Sequence, residues 1–194
     1  MYIKFQVAGF YSGMSDVEMD GQAKTFARID YYGGKVSLPC DEAEKKRFAR
    51  IPAGAVVMAF GNVQPQGNGT AKIKVMEIRT EGDEGFEEPT QDQLMQGCVY
   101  QGLIGVNAVR DYVRQDGTRV FRIDGSCIGG IMNFESTREI NASVQKGGRY
   151  TVLGTMSSYL TGEMYNGQRK TVLQVIPQIV SVEDIQTEGR KRRS

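Results

Sequence analysis

The chain has 194 residues, 40% of them hydrophobic and 24% charged, with 24 glycines and neither histidine nor tryptophan. That length suits two domains of about 90 residues, the lack of histidine removes the commonest general base and metal ligand, and no apolar run approaches the roughly 20 residues needed to span a bilayer. The formal net charge of +1 is unevenly spread: residues 1–80 carry 11 Lys/Arg and 8 Asp/Glu, residues 81–92 carry 6 acids and no base, residues 93–186 carry 9 bases and 8 acids, and residues 187–194 carry 4 bases and 1 acid.

The opening MYIKFQVAGF has neither the basic region nor the long apolar region of a signal peptide. The cysteines, Cys40, Cys98 and Cys127, are odd in number and lack CxxC spacing, which points away from a disulfide framework. A reducing, cytoplasmic setting is the expectation, with no membrane partner.

Residues 3–10 (IKFQVAGF) alternate, with Ile3, Phe5 and Val7 on one face, and predict a first strand. Residues 11–21 are polar and bounded by glycine, so they read as a loop. Residues 24–32 (KTFARIDYY) predict a second strand that sets Phe26, Arg28 and Asp30 on one face and Ala27, Ile29 and Tyr31 on the other. Gly33-Gly34 is a hairpin turn leading into a third strand at 35–38, whose ladder Pro39 should break. Residues 41–51 (DEAEKKRFARI) place acids in the first turn of a helix and bases in the last, and Pro52 ends it. Residues 55–60 and 72–78 then form a hairpin around the turn cluster at 64–70. The order is β-β-β-α-β-β.

Residues 81–97 are acidic and glycine-bearing, a linker by composition. As a spacer it keeps two modules apart; alternatively it competes with a polyanion for a basic groove. Beyond it the first half recurs. Gln101-x-Leu103-x-Gly105 matches Phe5-x-Val7-x-Gly9, Arg122-Ile123-Asp124 matches Arg28-Ile29-Asp30, and Gly129-Gly130 matches Gly33-Gly34. Residues 135–144 fall where the helix fell, and Gly147 to Gly154 repeats the spacing of Gly54 to Gly61. A shared order of weak matches is the mark of an internal repeat. The expected fold is all-β with short helices: two tandem five-stranded modules at 1–80 and 98–186, a linker at 81–97 and a basic tail at 187–194. One continuous double barrel, strapped by the linker, is the other arrangement.

Five short strands with a helix between the third and fourth is the layout of the OB-fold, a partly open Greek-key barrel. With its glycine-bounded fourth strand, the chain resembles OB-fold single-stranded-DNA-binding proteins in a tandem copy, over nearly its whole length. It departs from the bacterial pattern at the C-terminus, where Arg190-Lys191-Arg192-Arg193 stands in place of an acidic tip, and it has no tryptophan for stacking. The resemblance implies a role in DNA replication or repair. It implies a ligand on the second and third strands and on the loops between strands 1–2 and 4–5.

Basic side chains that track the backbone and rings that stack on bases are the chemistry such a face needs. In the first half the outward candidates are Arg28, Tyr31, Tyr32, Lys35, Lys72 and Lys74; neighbouring Tyr31 and Tyr32 must face opposite ways. In the second half they are Arg119, Arg122, Tyr159, Tyr165, Arg169 and Lys170. Residues 156–168 read as a long loop able to fold over a strand. The phenylalanines read as core, and Lys45-Lys46-Arg47 as a solvated helix face. No nucleophile motif or metal-spaced set is present, so no catalytic residue, metal or cofactor is assigned. The expected function is non-enzymatic, weakly sequence-selective binding of a single-stranded nucleic acid, DNA above RNA. The alternative is a structural or assembly protein, of phage or secretion type, whose barrels hold a protein partner or a second copy of the chain.

Overall fold

Ile3, Phe5 and Val7 are buried in the core, so the alternation that marks the first strand also sets its inward face. The computed structural model describes residues 2–19, 21–66, 70–137, 144–165 and 168–184; the side chains of residues 66, 70, 159, 161, 163–165, 168–178, 180, 182 and 184 lie outside the description. The first half runs β1 (Ile3–Met19), β2 (Gln22–Tyr31), β3 (Gly34–Cys40), α1 (Glu42–Phe48), β4 (Val56–Gln66) and β5 (Thr70–Thr80). After α2 (Gln91–Gln96) the second half runs β6 (Cys98–Val113), β7 (Arg119–Cys127), β8 (Gly130–Ser136), β9 (Arg149–Tyr165) and β10 (Gln168–Asp184). In each half the opening strand pairs antiparallel with the second and the fourth, the second with the third, and the fourth with the fifth.

The halves also share their irregularities. Each opening strand carries one bulge, at Ser12 and at Asn107. Each fifth strand carries one beside the glycine of the fourth: Met76 is the extra residue next to the Gly61–Val75 pair, and Val180 next to the Gly154–Ile179 pair. A bulge adds one residue to one strand and turns every later side chain to the other face.

The ten strands form one open sheet, continuous across the two halves that were expected as tandem five-stranded OB-like barrels. β1 pairs with β6, Lys4 opposite Gln101 and Val7 opposite Cys98. A single core holds Phe5, Ile29 and Leu38 from the first half together with Tyr100, Ile123 and Phe134 from the second. Among the described residues no ladder joins β3 to β5, and β8 meets β10 in one parallel pair, Glu135 and Gln178. What closes the edge of β3 comes from the other half. The hydroxyl of Ser158 on β9, fully buried, accepts a hydrogen bond from the Ser37 N–H (2.9 Å) and donates one to the Ser37 carbonyl (2.7 Å). Backbone groups in a buried edge need such partners.

Several elements differ from the sequence expectation. Residues 11–19, expected as a loop, continue β1 across the bulge to the Met19–Gln22 pair. Beyond the bulge most of this strand is exposed, Met14, Val17 and Met19 make no single apolar face, and its ladder needs no apolar alternation. Of residues 156–168, also expected as a loop, 156–165 belong to β9 and Gln168 to β10, which pair from Tyr150–Asp184 out to Tyr165–Gln168; residues 166 and 167 lie outside the described residues. Pro39 remains in β3 opposite Phe26; β3 is an edge strand, where a missing N–H is tolerated. Of the helix expected at 135–144, Glu135 and Ser136 belong to β8, Thr137 and Val144 are not helical, and 138–143 lie outside the described residues.

α1 forms where expected but ends at Phe48. Asp41 caps it, its carboxylate accepting from the N–H groups of Ala43 (2.8 Å) and Glu44 (3.2 Å), while Glu44 accepts from the Asp41 N–H (2.7 Å). Phe48 is buried and stacks on Tyr11 at 5.2 Å. The expected linker contains α2, capped in the same way by Thr90 and Gln93 and ended by Gly97 at φ 65°. It is tied to the first half: Ala8 N–H donates to the Gly97 carbonyl and Tyr32 N–H to the Leu94 carbonyl. Its acid Asp83 pairs with Arg47 of α1, so part of the acidic stretch neutralises the helix. No helix among the described residues is long and apolar enough to cross a membrane.

The hydroxyl of Tyr100 is buried with no hydrogen-bond partner among the described residues. Leaving a buried donor unpaired costs about 1–3 kcal/mol. Tyr100→Phe is therefore expected to raise the unfolding free energy by about 1 kcal/mol in urea denaturation, and a loss of stability would show that the hydroxyl has a partner.

Candidate functional site

The outer faces of β1–β2–β3 and of β6–β7–β8 carry the charged and aromatic side chains. On the first, Arg28 is forked onto Asp30, Nε to Oδ1 at 2.7 Å and Nη2 to Oδ2 at 3.0 Å. Strand residues two apart share a face, so the Arg-Ile-Asp triplet makes this contact locally. The bulge turns the Ser12 hydroxyl onto the same carboxylate. The Arg28 hydrogen bond above all holds the Asp30 carboxyl below the usual carboxylate range, with burial opposing and Ser12 assisting. Lys35 stands opposite Asp30 on β3.

Tyr31 and Tyr32 face opposite ways. Tyr32 is 62% exposed, its ring edge-on to Phe10 at 5.9 Å. The Tyr31 ring is half-buried against Gly97, where an added Cβ would come within 2.1 Å of ring carbons, and burial pushes its phenol up, with Cys98 adding to the shift. Lys72 and Lys74 are exposed on β5, opposite Gln64 and Asn62, with no ladder to β2 or β3 among the described residues, and the field of Lys74 reaches Asp41 beyond the end of β3. The structure therefore groups Arg28, Tyr32 and Lys35, and sets Tyr31, Lys72 and Lys74 apart from them.

In the second half, Arg122 on β7 donates Nε–H to Asp124 Oδ1 at 2.8 Å, and Arg110 on β6 forms an ion pair with the other oxygen, Nη2 to Oδ2 at 3.1 Å. Arg114, at the turn after β6, reaches Glu135 of β8 at 2.7 Å, and Tyr112 donates its hydroxyl to the same carboxylate at 2.8 Å. Arg119 pairs with Asp111 at 2.7 Å and lies over the Phe121 ring at 4.8 Å. The side chains of Tyr159, Tyr165, Arg169 and Lys170 lie outside the described residues; their backbones belong to the β9–β10 ribbon.

Arg110, Tyr112 and Arg114 were not among the sequence candidates. The signal for them was the β6 ribbon running on past Gly105, which the loop reading of its counterpart in β1 concealed. Arginine and lysine also divide sharply. Arg50 and Arg149 apart, every described arginine stands in an ion pair. Lys4, Lys24, Lys35, Lys46, Lys72 and Lys74 have no ion pair among the described residues. A planar guanidinium matches a carboxylate fork where an ammonium does not. Among the described residues no cluster of acids or thiols is placed to hold a metal. Burial pushes the Cys40 thiol up to about 12 and raises Cys98 and Cys127 too, the opposite of what a reactive thiol needs.

No protein-family model matches the chain, and no curated protein matches it. Solved structures do. The wild-type single-stranded DNA binding protein from Thermus aquaticus superposes with a TM-score of 0.58 at 13% identity, covering 100% of this chain and 97% of that one. A deletion mutant of the same protein gives 0.54 at 12% identity, over 99% and 98%. The chain has the fold of a single-stranded-DNA-binding protein. At this identity the likeness to the Thermus aquaticus protein is one of fold, and the side chains described above stand on their own geometry.

Proposed function

We propose that the chain binds single-stranded nucleic acid, DNA above RNA, without catalysing a reaction. Two OB-like modules at 1–80 and 98–186, joined by the linker at 81–97 and followed by a basic tail, share the ligand. The observation that carries this is the same pairing of chemistry on both outer faces, a cation whose charge is not cancelled on the face of a ring that reaches solvent: Lys35 with Tyr32 in the first half, and Arg110 and Arg122 with Tyr112 in the second. Phosphates meet the cations and bases stack on the rings, with little reading of base edges. The likeness of fold to a single-stranded DNA binding protein from Thermus aquaticus agrees with this.

Fluorescence anisotropy with a labelled single strand of about 30 nucleotides tests the reading, because an OB module covers several nucleotides. Binding should be tight at low salt and fall steeply as salt rises. Tyr32→Ala should weaken it roughly 5- to 100-fold, at about 1–3 kcal/mol per stacked base, with little change in stability since the ring is exposed. No binding at low salt would sink the reading.

A second reading, an assembly protein with a protein partner, draws on another part of the outer surface. There Met76 and Leu153 are exposed beside Phe60, around a concavity of about 470 Å³ where β4, β1, β6 and β9 lie side by side. A pull-down that captures one partner, lost in Met76→Lys, would favour it.

A further inference from the structure

Arg110 and Arg122 stand directly opposite each other across the β6–β7 ladder. Like charges so placed cost stability, unless something between them compensates. Asp124 does so with one oxygen for each arginine. The exposures are graded: the Asp124 side chain is 12% exposed, Arg122 32% and Arg110 65%. The carboxylate lies beneath and the guanidiniums above it, with N–H groups left over that face solvent. Two cations on one anion leave a net charge of +1.

We propose that Arg110 and Arg122, held by Asp124, form a phosphate subsite for a phosphodiester backbone. Asp124 is a positioning residue: it fixes two guanidiniums at the spacing of neighbouring strands and removes the entropy cost of ordering them on the ligand. A phosphate does not expel it, because that would leave a buried carboxylate unpaired. The corresponding place in the first half is different. There Gly13 stands opposite Arg28, the second group on the carboxylate is the neutral hydroxyl of the bulge residue Ser12, and Arg28 and Asp30 cancel. The repeat has thus kept one triplet and given it a net charge in one half only, so the phosphate contact belongs to β6–β7. This rests on the single-strand reading above.

The test compares Arg110→Gln, Asp124→Asn and Arg28→Gln with the unaltered protein, using a labelled thirty-nucleotide oligo-dT across a salt series. Each phosphate contact contributes a slope of about 0.7 in log K against log salt for single strands, which is about five-fold in affinity at 0.1 M. Arg110→Gln should lose about that slope and about that factor. Asp124→Asn should also weaken binding and flatten the slope, while Arg28→Gln should change affinity less than about two-fold. Tighter binding by Asp124→Asn would show the carboxylate to be a competitor of phosphate and overturn the proposal, as would equal losses in Arg110→Gln and Arg28→Gln. A second measurement needs no variant: inorganic pyrophosphate is titrated into the ¹⁵N-labelled protein while the arginine Nε–H signals are followed. Arg110 and Arg122 should move together and Arg28 should not. Failure of the unaltered protein to bind oligo-dT would overturn the single-strand reading alone. Failure of pyrophosphate to move Arg110 and Arg122 would overturn the subsite.

Discussion

Ser158→Ala is expected to lower the unfolding free energy by about 2–5 kcal/mol. The substitution removes one oxygen and leaves two backbone groups of Ser37 unpaired, its N–H and its carbonyl. Ser158 is fully buried and Ser37 nearly so, so water does not replace the lost partner. Each unpaired buried group costs about 1–3 kcal/mol. In a chain of this size, about 2–4 °C of melting temperature follows each kcal/mol, so thermal unfolding should shift down by roughly 5–15 °C. Ser15→Ala, at an exposed position on β1, is the control and should change little. A shift for Ser158→Ala no larger than the control would mean that the edge of β3 is closed in some other way. The variant should also self-associate in concentration-dependent light scattering, because a freed strand edge pairs with another chain.

Much of this fold was legible because its core is built on alternation. Ile3, Phe5 and Val7, then Ile73 and Val75, are inward where period two puts them. α1 was legible from its charges. The long ribbons were not. Residues 11–19 and the outer parts of β9 and β10 are held by ladder hydrogen bonds beyond the core, where backbone pairing leaves no pattern in the side chains. The β1–β6 seam was hidden for a related reason: Lys4 and Gln101 are paired through backbone, and nothing in their side chains records it. At the candidate site the residues were half legible. Arg28 and Arg122 were chosen as cations, yet the acid two residues on was part of the same triplet, and its place on the same face implied the ion pair. The β5 bulge does leave a trace in the sequence: Ile73-x-Val75-x-x-Ile78 departs from period two there.

Gly61→Ala is expected to be more damaging than its one added methyl suggests. A Cβ at Gly61 would fall on the carbonyl oxygen of Lys74 and 2.6 Å from a ring carbon of Phe5. The first obstacle is backbone in the partner strand, and the second is a core side chain, so neither can swing aside. Relief requires β4 and β5 to separate next to the Met76 bulge. That separation would undo the shift that sets Val75 and Ile78 on the core side, with Met76 and Glu77 between them. Overpacking a core costs about 1–3 kcal/mol, and the strained ladder adds to it; a loss of about 3 kcal/mol or more is expected by urea denaturation. Gly54 gives the contrast. An added Cβ there meets nothing within 4 Å, and only its φ of 87° resists substitution, so Gly54→Ala should cost about 1–2 kcal/mol. Equal losses at the two glycines would mean that the ladder yields at Gly61 and that the bulge does not depend on it. A large loss at Gly61 alone would identify the close approach of β4 and β5 as the feature that glycine provides, and would predict the same at Gly154, which pairs beside the matching bulge in β10.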